Sequence, residues 1–477
     1  MRVALFDYSL FYESLGLANL MGAMKAENHD YKLFIISEEK DILESIRNFK
    51  PDLLGFPAYT GTHHTSFQLA EYIRKHMNIL TIFGGPHVTL FPEESIREDC
   101  LDIICLGEGE EALVELLDAL KNKSDHSQIK NLWVKKDGKI IRNAIRPLVQ
   151  NLDSLPMPDR GQYLKYPIIR DLPLKRFITG YGCPFQCSFC HNAIFLKDIY
   201  KGMGSYLRKK SIDRVFEEIK EVQKISTVKR IHFHDDNFNF QRDWFREFCE
   251  RFPKEIGLPW SCTVRVDNML NEEIVKMMKE AGCVGVTYGL ETENENIRNK
   301  ILDKHLKNED FENASKLFKK YNIKHIASIM LNLPGETVKD ALKTLHYARK
   351  LNSCHIRAAV YTVAKKQPIT DWLIQNHYID KVPEIDNFNP AELEDVTIHS
   401  TDTKRIIRLS PFFNIMFKFP FLEPVFRFLS LLPIRSFGES RIYDSYLEMK
   451  FMGVPSLQGI RYFLKIRKGL KAFQNLR

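Results

Sequence analysis

The stretch Gly182–Phe195, GCPFQCSFCHNAIF, places three of the chain's nine cysteines at Cys183, Cys187 and Cys190. In a reducing compartment a cluster this tight reads as a metal or catalytic site and not as a disulfide framework. A structural zinc site takes four ligands, usually from two knuckles, whereas the spacing here is C-x3-C-x2-C with no second knuckle. His191 follows Cys190 directly, and adjacent residues in an extended or helical chain point apart, so it makes a strained fourth ligand. A cubane iron–sulfur cluster is normally held by four thiolates. Three would leave one iron open to a substrate or cofactor, as catalytic metals keep an open position.

The cysteines follow RFITGY, the first of six apolar runs between Lys175 and Val363. The others are RIHFHD, WSCTVRV, GVTYGL, HIASIML and HIRAAVYTV, separated by helical stretches such as SIDRVFEEIKEVQ and VKDALKTLHYARK. That rhythm predicts a partial (β/α)6 barrel of the TIM type, whose chemistry belongs at the carboxyl ends of its strands. Upstream, RVALFD, YKLFIIS, DLLGFPA, LTIFGG and DIICLG alternate with helices over Leu15–Ala26, Ile42–Phe49, Ser66–His76 and Glu110–Leu120. This series predicts a doubly wound parallel sheet of the Rossmann-like kind, with ligands at the strand carboxyl ends. The fold class is therefore α/β, divided into a doubly wound domain over 1–135, a linker with a hairpin over 136–170, the barrel over 171–370, and a mainly helical C-terminal extension over 371–477.

At 477 residues the chain exceeds one compact core. Its 44% hydrophobic and 27% charged content is that of an ordinary globular protein. The start, MRVALFDYSLFYESLGLANL, is interrupted by Asp7 and Glu13 and does not read as a signal peptide, which points to the cytoplasm. The net charge of +8 gathers toward the C-terminus in FKFP, RSFGESR and FLKIRKGLK. The aromatic segment Phe412–Arg435 is broken by Lys418, Glu423, Arg427 and prolines, so no run reaches the roughly 18 apolar residues of a spanning helix. It reads either as a helical cap across the barrel or as an element resting on the inner membrane face and admitting a lipid-like substrate.

GCPFQCSFC resembles the cluster motif of the radical S-adenosylmethionine (radical SAM) superfamily, and the rest of the barrel follows suit. HFHDDNF is similar to the family's D-D-x-F strand end, CTVRVD to its arginine-bearing strand, and GVTYGLET to the strand that carries a glutamate. MLNLPGET resembles the turn G-L-P-G-E-T with Asn332 where glycine is usual. SLGLANLMGAMK, PDLLGFPAYT, IFGGPHVTLFPEE and DIICLGEGEEALVELL are, in that order, similar to the landmarks of the cobalamin-binding domain that precedes the barrel in one subgroup, which includes radical SAM methyltransferases and the bacteriochlorophyll ring cyclases.

The resemblance implies a [4Fe–4S] cluster on Cys183, Cys187 and Cys190, with S-adenosyl-L-methionine chelated by the remaining iron. It puts Phe189, Asp235, Asp236, Arg265 and Glu291 around SAM, and Gly84, Gly85, His87, Gly107 and Glu108 around cobalamin. The D-x-H-x-x-G motif that supplies a cobalt ligand in many cobalamin proteins is absent, and His63, His64 and His87 are candidates by position alone. Read without the family, Asp235 and Asp236 could be a helix cap and a solvated carboxylate, and Arg265 with Glu291 an ordinary ion pair.

The implied activity is cobalamin-dependent methyl transfer to an unactivated carbon of a small or lipid-like molecule, with a flavodoxin or ferredoxin as reductant. Radical cyclisation or rearrangement is the alternative within the family. Nucleic-acid modification through the basic C-terminus is the alternative outside it, disfavoured because no added RNA-binding module is apparent. AVYTVAKKQPITDWL ends the sixth strand where the subgroup often has a P-G-T turn, so Lys365, Lys366 and Gln367 remodel the substrate side.

Overall fold

A computed structural model describes residues 1–8, 13–382, 398–400 and 402–432. Strands β1 (Arg2–Asp7), β2 (Asp30–Ile35), β3 (Leu53–Pro57), β4 (Leu80–Gly84) and β5 (Ile103–Cys105) form a parallel sheet in the order β2-β1-β3-β4-β5. The alternation in β1 shows why: Val3 and Leu5 face Leu17, Met21 and Leu116, while Ala4 and Phe6 face Ile46, Leu69 and Phe83. A strand buried on both sides needs helices on both sides, which is the doubly wound arrangement. The order reverses at β1 and β3, leaving a crevice at their carboxyl ends.

The hairpin β6 (Leu132–Lys136) and β7 (Lys139–Arg142) extends this sheet, because β6 pairs antiparallel with β5. The helix predicted over Ser66–His76 begins earlier, at His63, and ends at Arg74.

The second sheet has six parallel strands in the order β15-β14-β13-β12-β11-β8. They are β8 (Leu174–Phe177), β11 (Arg230–Phe233), β12 (Trp260–Thr263), β13 (Cys283–Glu291), β14 (Lys324–Leu331) and β15 (His355–Val360). The barrel is partial, with β8 and β15 at its edges. Ile231, Phe233, Val286, Tyr288, Ile329 and Ile356 point outward into one helix-covered core, so the alternate residues of each strand face the lumen. The helix Ile212–Ile225 buries Ile212, Val215, Phe216, Ile219 and Val222, an i, i+3, i+4, i+7 stripe, and Ser211 caps it by accepting from Arg214 N at 3.1 Å.

RFITGY is not one strand. β8 ends at Phe177, and after a break β9 (Gly180–Tyr181) pairs antiparallel with β10 (Arg208–Lys209). Asp235 causes the break by accepting from Thr179 N at 3.1 Å and Thr179 Oγ1 at 2.6 Å, which turns the chain toward the cysteines.

Side chains join the two sheets. Arg160 and Glu13 form a buried ion pair, Asn19 Nδ2 donates to Tyr181 OH at 2.9 Å, and Arg208 donates to Glu108 Oε1 at 2.6 Å. Beyond the barrel, helices Pro368–Gln375, Thr403–Leu409, Phe413–Lys418 and Glu423–Leu429 are described. The remainder of the predicted C-terminal extension, with the basic stretches RSFGESR and FLKIRKGLK, lies outside the described residues. Among the described residues no helix is long and apolar enough to cross a membrane.

Candidate active site

The cysteine loop leaves β9 through Gly182, whose φ of 88° and position against Tyr206 leave no room for a side chain: a β-carbon would lie 2.5 Å from Tyr206 O. The loop is bolted to its neighbours. Ser188 Oγ donates to Ile301 O at 2.6 Å, Ser188 N to Leu302 O at 3.1 Å, and Gln367 Nε2 to Phe189 O at 2.8 Å. Cys187 is buried, and Cys183 and Cys190 are half-buried. Burial pushes the Cys183 thiol up to about 11 and raises that of Cys190, so metal binding here must displace protons. Among the described residues no three His, Cys, Asp or Glu side chains converge as the ligands of one ion do. A cubane, whose thiolates bind separate irons, does not require them to.

Positive charge meets this loop from the ends of β12 and β13. The Arg265 guanidinium lies 3.9 Å from the Phe185 ring centroid and 3.8 Å from Cys187 Sγ, and it donates to Asp267 Oδ2 at 2.9 Å. Its other arm reaches the carbonyl of Lys304. Lys304 donates to Glu291 Oε1 at 2.6 Å and lies 5.9 Å from the Phe189 ring centroid. Arg265 and Glu291 are therefore not partners of each other but are joined through Lys304. Glu291 has φ 62°, a left-handed conformation held where β13 shifts register, and its pair with Lys304 sits over Gly289, where a β-carbon would overlap both. Nothing in the motif reading marks Lys304; its only signal is a lysine in the loop following the glutamate.

The paired aspartates separate. Asp235 is buried and, besides Thr179, accepts from Lys209 Nζ at 2.9 Å, so it braces the entry to the cysteine loop. Asp236 opens onto the cleft between the domains, and burial raises its carboxyl pKa. At the end of β14, Asn332 takes φ 62°, which asparagine tolerates better than most residues. Its amide also donates to Ile398 O at 3.0 Å and accepts from Thr403 Oγ1 at 3.0 Å, contacts that glycine could not make. Glu336 accepts from Leu333 N at 3.1 Å, and burial lifts its carboxyl to about 8.

The cleft, of about 470 Å³, lies between the carboxyl ends of β1, β3, β4 and β5 and the mouth of the barrel. Gly16, Gly55, Gly84, Gly85, Gly107 and Gly109 line it on one side, and Gly182, Tyr206 and Asp236 on the other. Gly85 (φ 115°) runs against Ala58, where a β-carbon would lie 2.9 Å from the carbonyl oxygen. Glu108 lines the cleft, but its carboxylate is taken by Arg208 and by Val149 N at 2.9 Å, so it locks the wall. His87 is not part of the wall. Its ring stacks on His63 at 3.5 Å, His63 lies 3.9 Å from His64, and burial drives His87 down to about 4, keeping it neutral.

These residues fit the groups the sequence implies. The three thiols share one loop with a guanidinium beside Cys187, a donor set suited to an iron–sulfur cluster. A wall of glycines, which β-carbons would fill, suits the flat face of a corrinoid.

A profile of the Radical SAM superfamily matches residues 177–348, and one of the B12 binding domain matches residues 1–117. An uncharacterized methyltransferase of Pyrococcus horikoshii is 32% identical over 367 residues, covering 75% of this chain and 76% of that protein. The anaerobic magnesium-protoporphyrin IX monomethyl ester cyclase of Rubrivivax gelatinosus is 27% identical over 365 residues, covering 72% of this chain and 63% of that one. Among solved structures, the cobalamin-dependent S-adenosylmethionine radical enzyme OxsB with aqua-cobalamin bound superposes with a TM-score of 0.70 at 14% identity, over 100% of this chain and 79% of that one. At that identity the likeness speaks for the fold. The B12 binding profile spans β1 to β5 and the Radical SAM profile spans β11 to β14, and the chain belongs to the radical SAM superfamily, in the group that carries a cobalamin-binding domain.

Proposed function

We propose that this chain is a cobalamin-dependent radical SAM methyltransferase that alkylates an unactivated carbon of a small or lipid-like molecule. The observation that carries the reading is a cleft bounded on one side by the glycine wall of the first domain and on the other by Gly182 and Phe195, the two ends of the segment that bears the cysteines. When bound, the cluster and SAM supply a 5′-deoxyadenosyl radical and cobalamin supplies a transferable methyl group.

The chain's own residues hold and insulate that chemistry. Cys183, Cys187 and Cys190 serve as the cluster ligands, and the Arg265 guanidinium, fixed on Phe185, offsets thiolate charge at Cys187. Lys304 and Glu291 hold each other and the adjoining loop where the polar end of SAM would lie, with Phe189 beside its adenine. Asp235 positions the cysteine loop without facing the ligand. Asp236 is the acid that meets the cleft from the barrel side. The histidine stack holds the loop after β4 and does not ligate cobalt. The chain works in the cytoplasm under this proposal, where thiols stay reduced and a flavodoxin or ferredoxin supplies electrons.

Anaerobically reconstituted protein should retain iron, sulfide and cobalt, and should release 5′-deoxyadenosine from SAM under reduction. Protein that binds no cobalamin and forms no 5′-deoxyadenosine overturns the proposal. The likeness to a ring cyclase supports a second reading, cyclisation. Methyl-deuterated SAM distinguishes the two, since only methyl transfer carries the label into product.

A further inference from the structure

The helix Glu423–Leu429 and its flanks carry a cluster of large exposed apolar side chains on the outside of the barrel: Phe421 is 74% exposed, Phe428 62%, Leu431 57% and Val425 51%. Val425 and Phe428 stand at i and i+3 on one face of that helix, and Phe421 lies in the short turn Pro420–Leu422 that leads into it. Such a face is usually the buried one, but here the opposite side of the helix makes the anchor. Phe426 stacks on Phe412 at 4.3 Å between ring centroids, and Phe412 belongs to the barrel core. The preceding helix is equally fixed: Asn414 Oδ1 accepts from Ile356 N of β15 at 3.3 Å, and Arg349 Nε donates to Phe417 O at 3.2 Å. The aromatic face is therefore held outward by a braced support.

Charge around the face is one-sided. Lys418 and Arg427 are exposed beside it. Glu423, the single acid between Phe412 and Leu432, is drawn inward by His346 Nε2 at 2.7 Å and by Arg349 at 3.8 Å. The outer surface thus presents aromatic side chains flanked by cations, with its carboxylate facing the protein. A protein partner of matching apolar shape would not need that arrangement. An anionic bilayer rewards it, because phenyl rings enter the acyl boundary while lysine and arginine reach the head groups.

We propose that residues 418–431 form a docking surface for an anionic phospholipid bilayer, on which the protein lies peripherally. The surface extends from the helix Phe413–Lys418, which Asn414 ties to β15, an edge strand of the barrel. The surface does not depend on the reaction assigned above, and vesicle binding is read separately from SAM cleavage.

The test is sedimentation of the full chain with vesicles of phosphatidylcholine alone and with about one-third phosphatidylglycerol. The protein should pellet with the anionic vesicles, and salt should weaken the binding. Phe421→Ala/Phe428→Ala should lower binding at least about tenfold. Lys418→Gln/Arg427→Gln should lower it about fivefold per charge on anionic vesicles and leave neutral vesicles unaffected. All four side chains are exposed, so the thermal transitions of both variants should match the parent. Protein that stays in the supernatant, or variants that pellet like the parent, overturns the proposal. So does a dimer in light scattering that Phe421→Ala/Phe428→Ala dissolves, which would assign the face to a second copy of the chain.

Discussion

Glu336→Gln tests the turn that closes β14 against the barrel mouth. Glu336 is 1% exposed, its Oε2 accepts from Leu333 N, and its Oε1 has no hydrogen-bond partner among the described residues. Burial lifts its carboxyl from 4.5 to about 8, so the folded protein keeps a proton that the unfolded chain releases. Its contribution to stability is therefore fully present below pH 4.5 and is lost as pH rises toward 8. At about 1.4 kcal/mol per tenfold, the full loss is roughly 5 kcal/mol, of which about 3 kcal/mol is already gone at pH 7. Glutamine keeps the acceptor and the volume but cannot ionise. Urea unfolding at pH 5 and pH 8 should show the variant close to the parent at the lower pH and more stable by about 2–4 kcal/mol at the higher. A parent–variant difference that is the same at both pH values refutes the reasoning, since it would mean that the carboxyl titrates alike in both states.

Lys304→Met should leave Glu291 buried without its cation and cost about 3–5 kcal/mol in urea unfolding, while Lys304→Met/Glu291→Gln should recover most of it. Serine at Cys183, Cys187 or Cys190 should each lower iron retained after anaerobic reconstitution by most of the roughly four atoms of a cubane, measured by iron and sulfide analysis. Gly85→Ala forces a β-carbon toward Ala58 O at a φ of 115°, and should reduce cobalamin retained on gel filtration severalfold while iron content stays at the parent value.

Both sheets were legible because a strand covered by helices writes itself as an uninterrupted apolar run, and β1 to β5 are such runs. Helix ends were harder. His63 and His64 precede the apolar stripe of their helix yet belong to it: the His63 ring lies against His64 and His87 and both rings meet Phe67 edge-on, contacts of polar rings that hydrophobic periodicity does not register. The break between β8 and β9 was hidden for a related reason: RFITGY satisfies a strand's local preferences, and it is Asp235, distant in sequence, that bends it.

The same division runs through the candidate site. A cysteine spacing is local and so can be read directly, but the partners of charged residues are set by topology. Arg265 and Glu291 stand at the ends of neighbouring strands, which made them a plausible pair, yet the loop after β13 inserts Lys304 between them. Asp235 and Asp236 are adjacent and on opposite faces of one chain, so alternation alone requires that they meet different surroundings. One accordingly closes on Thr179 and Lys209, and the other opens on the cleft. Asn332 reverses the lesson. As a departure from a family turn it reads as a loss of glycine's freedom, but the left-handed conformation is kept and the amide gains Ile398 and Thr403. A substitution at a motif position can thus preserve the backbone while tying the barrel mouth to the C-terminal helices, and those helices carry the exposed aromatic face.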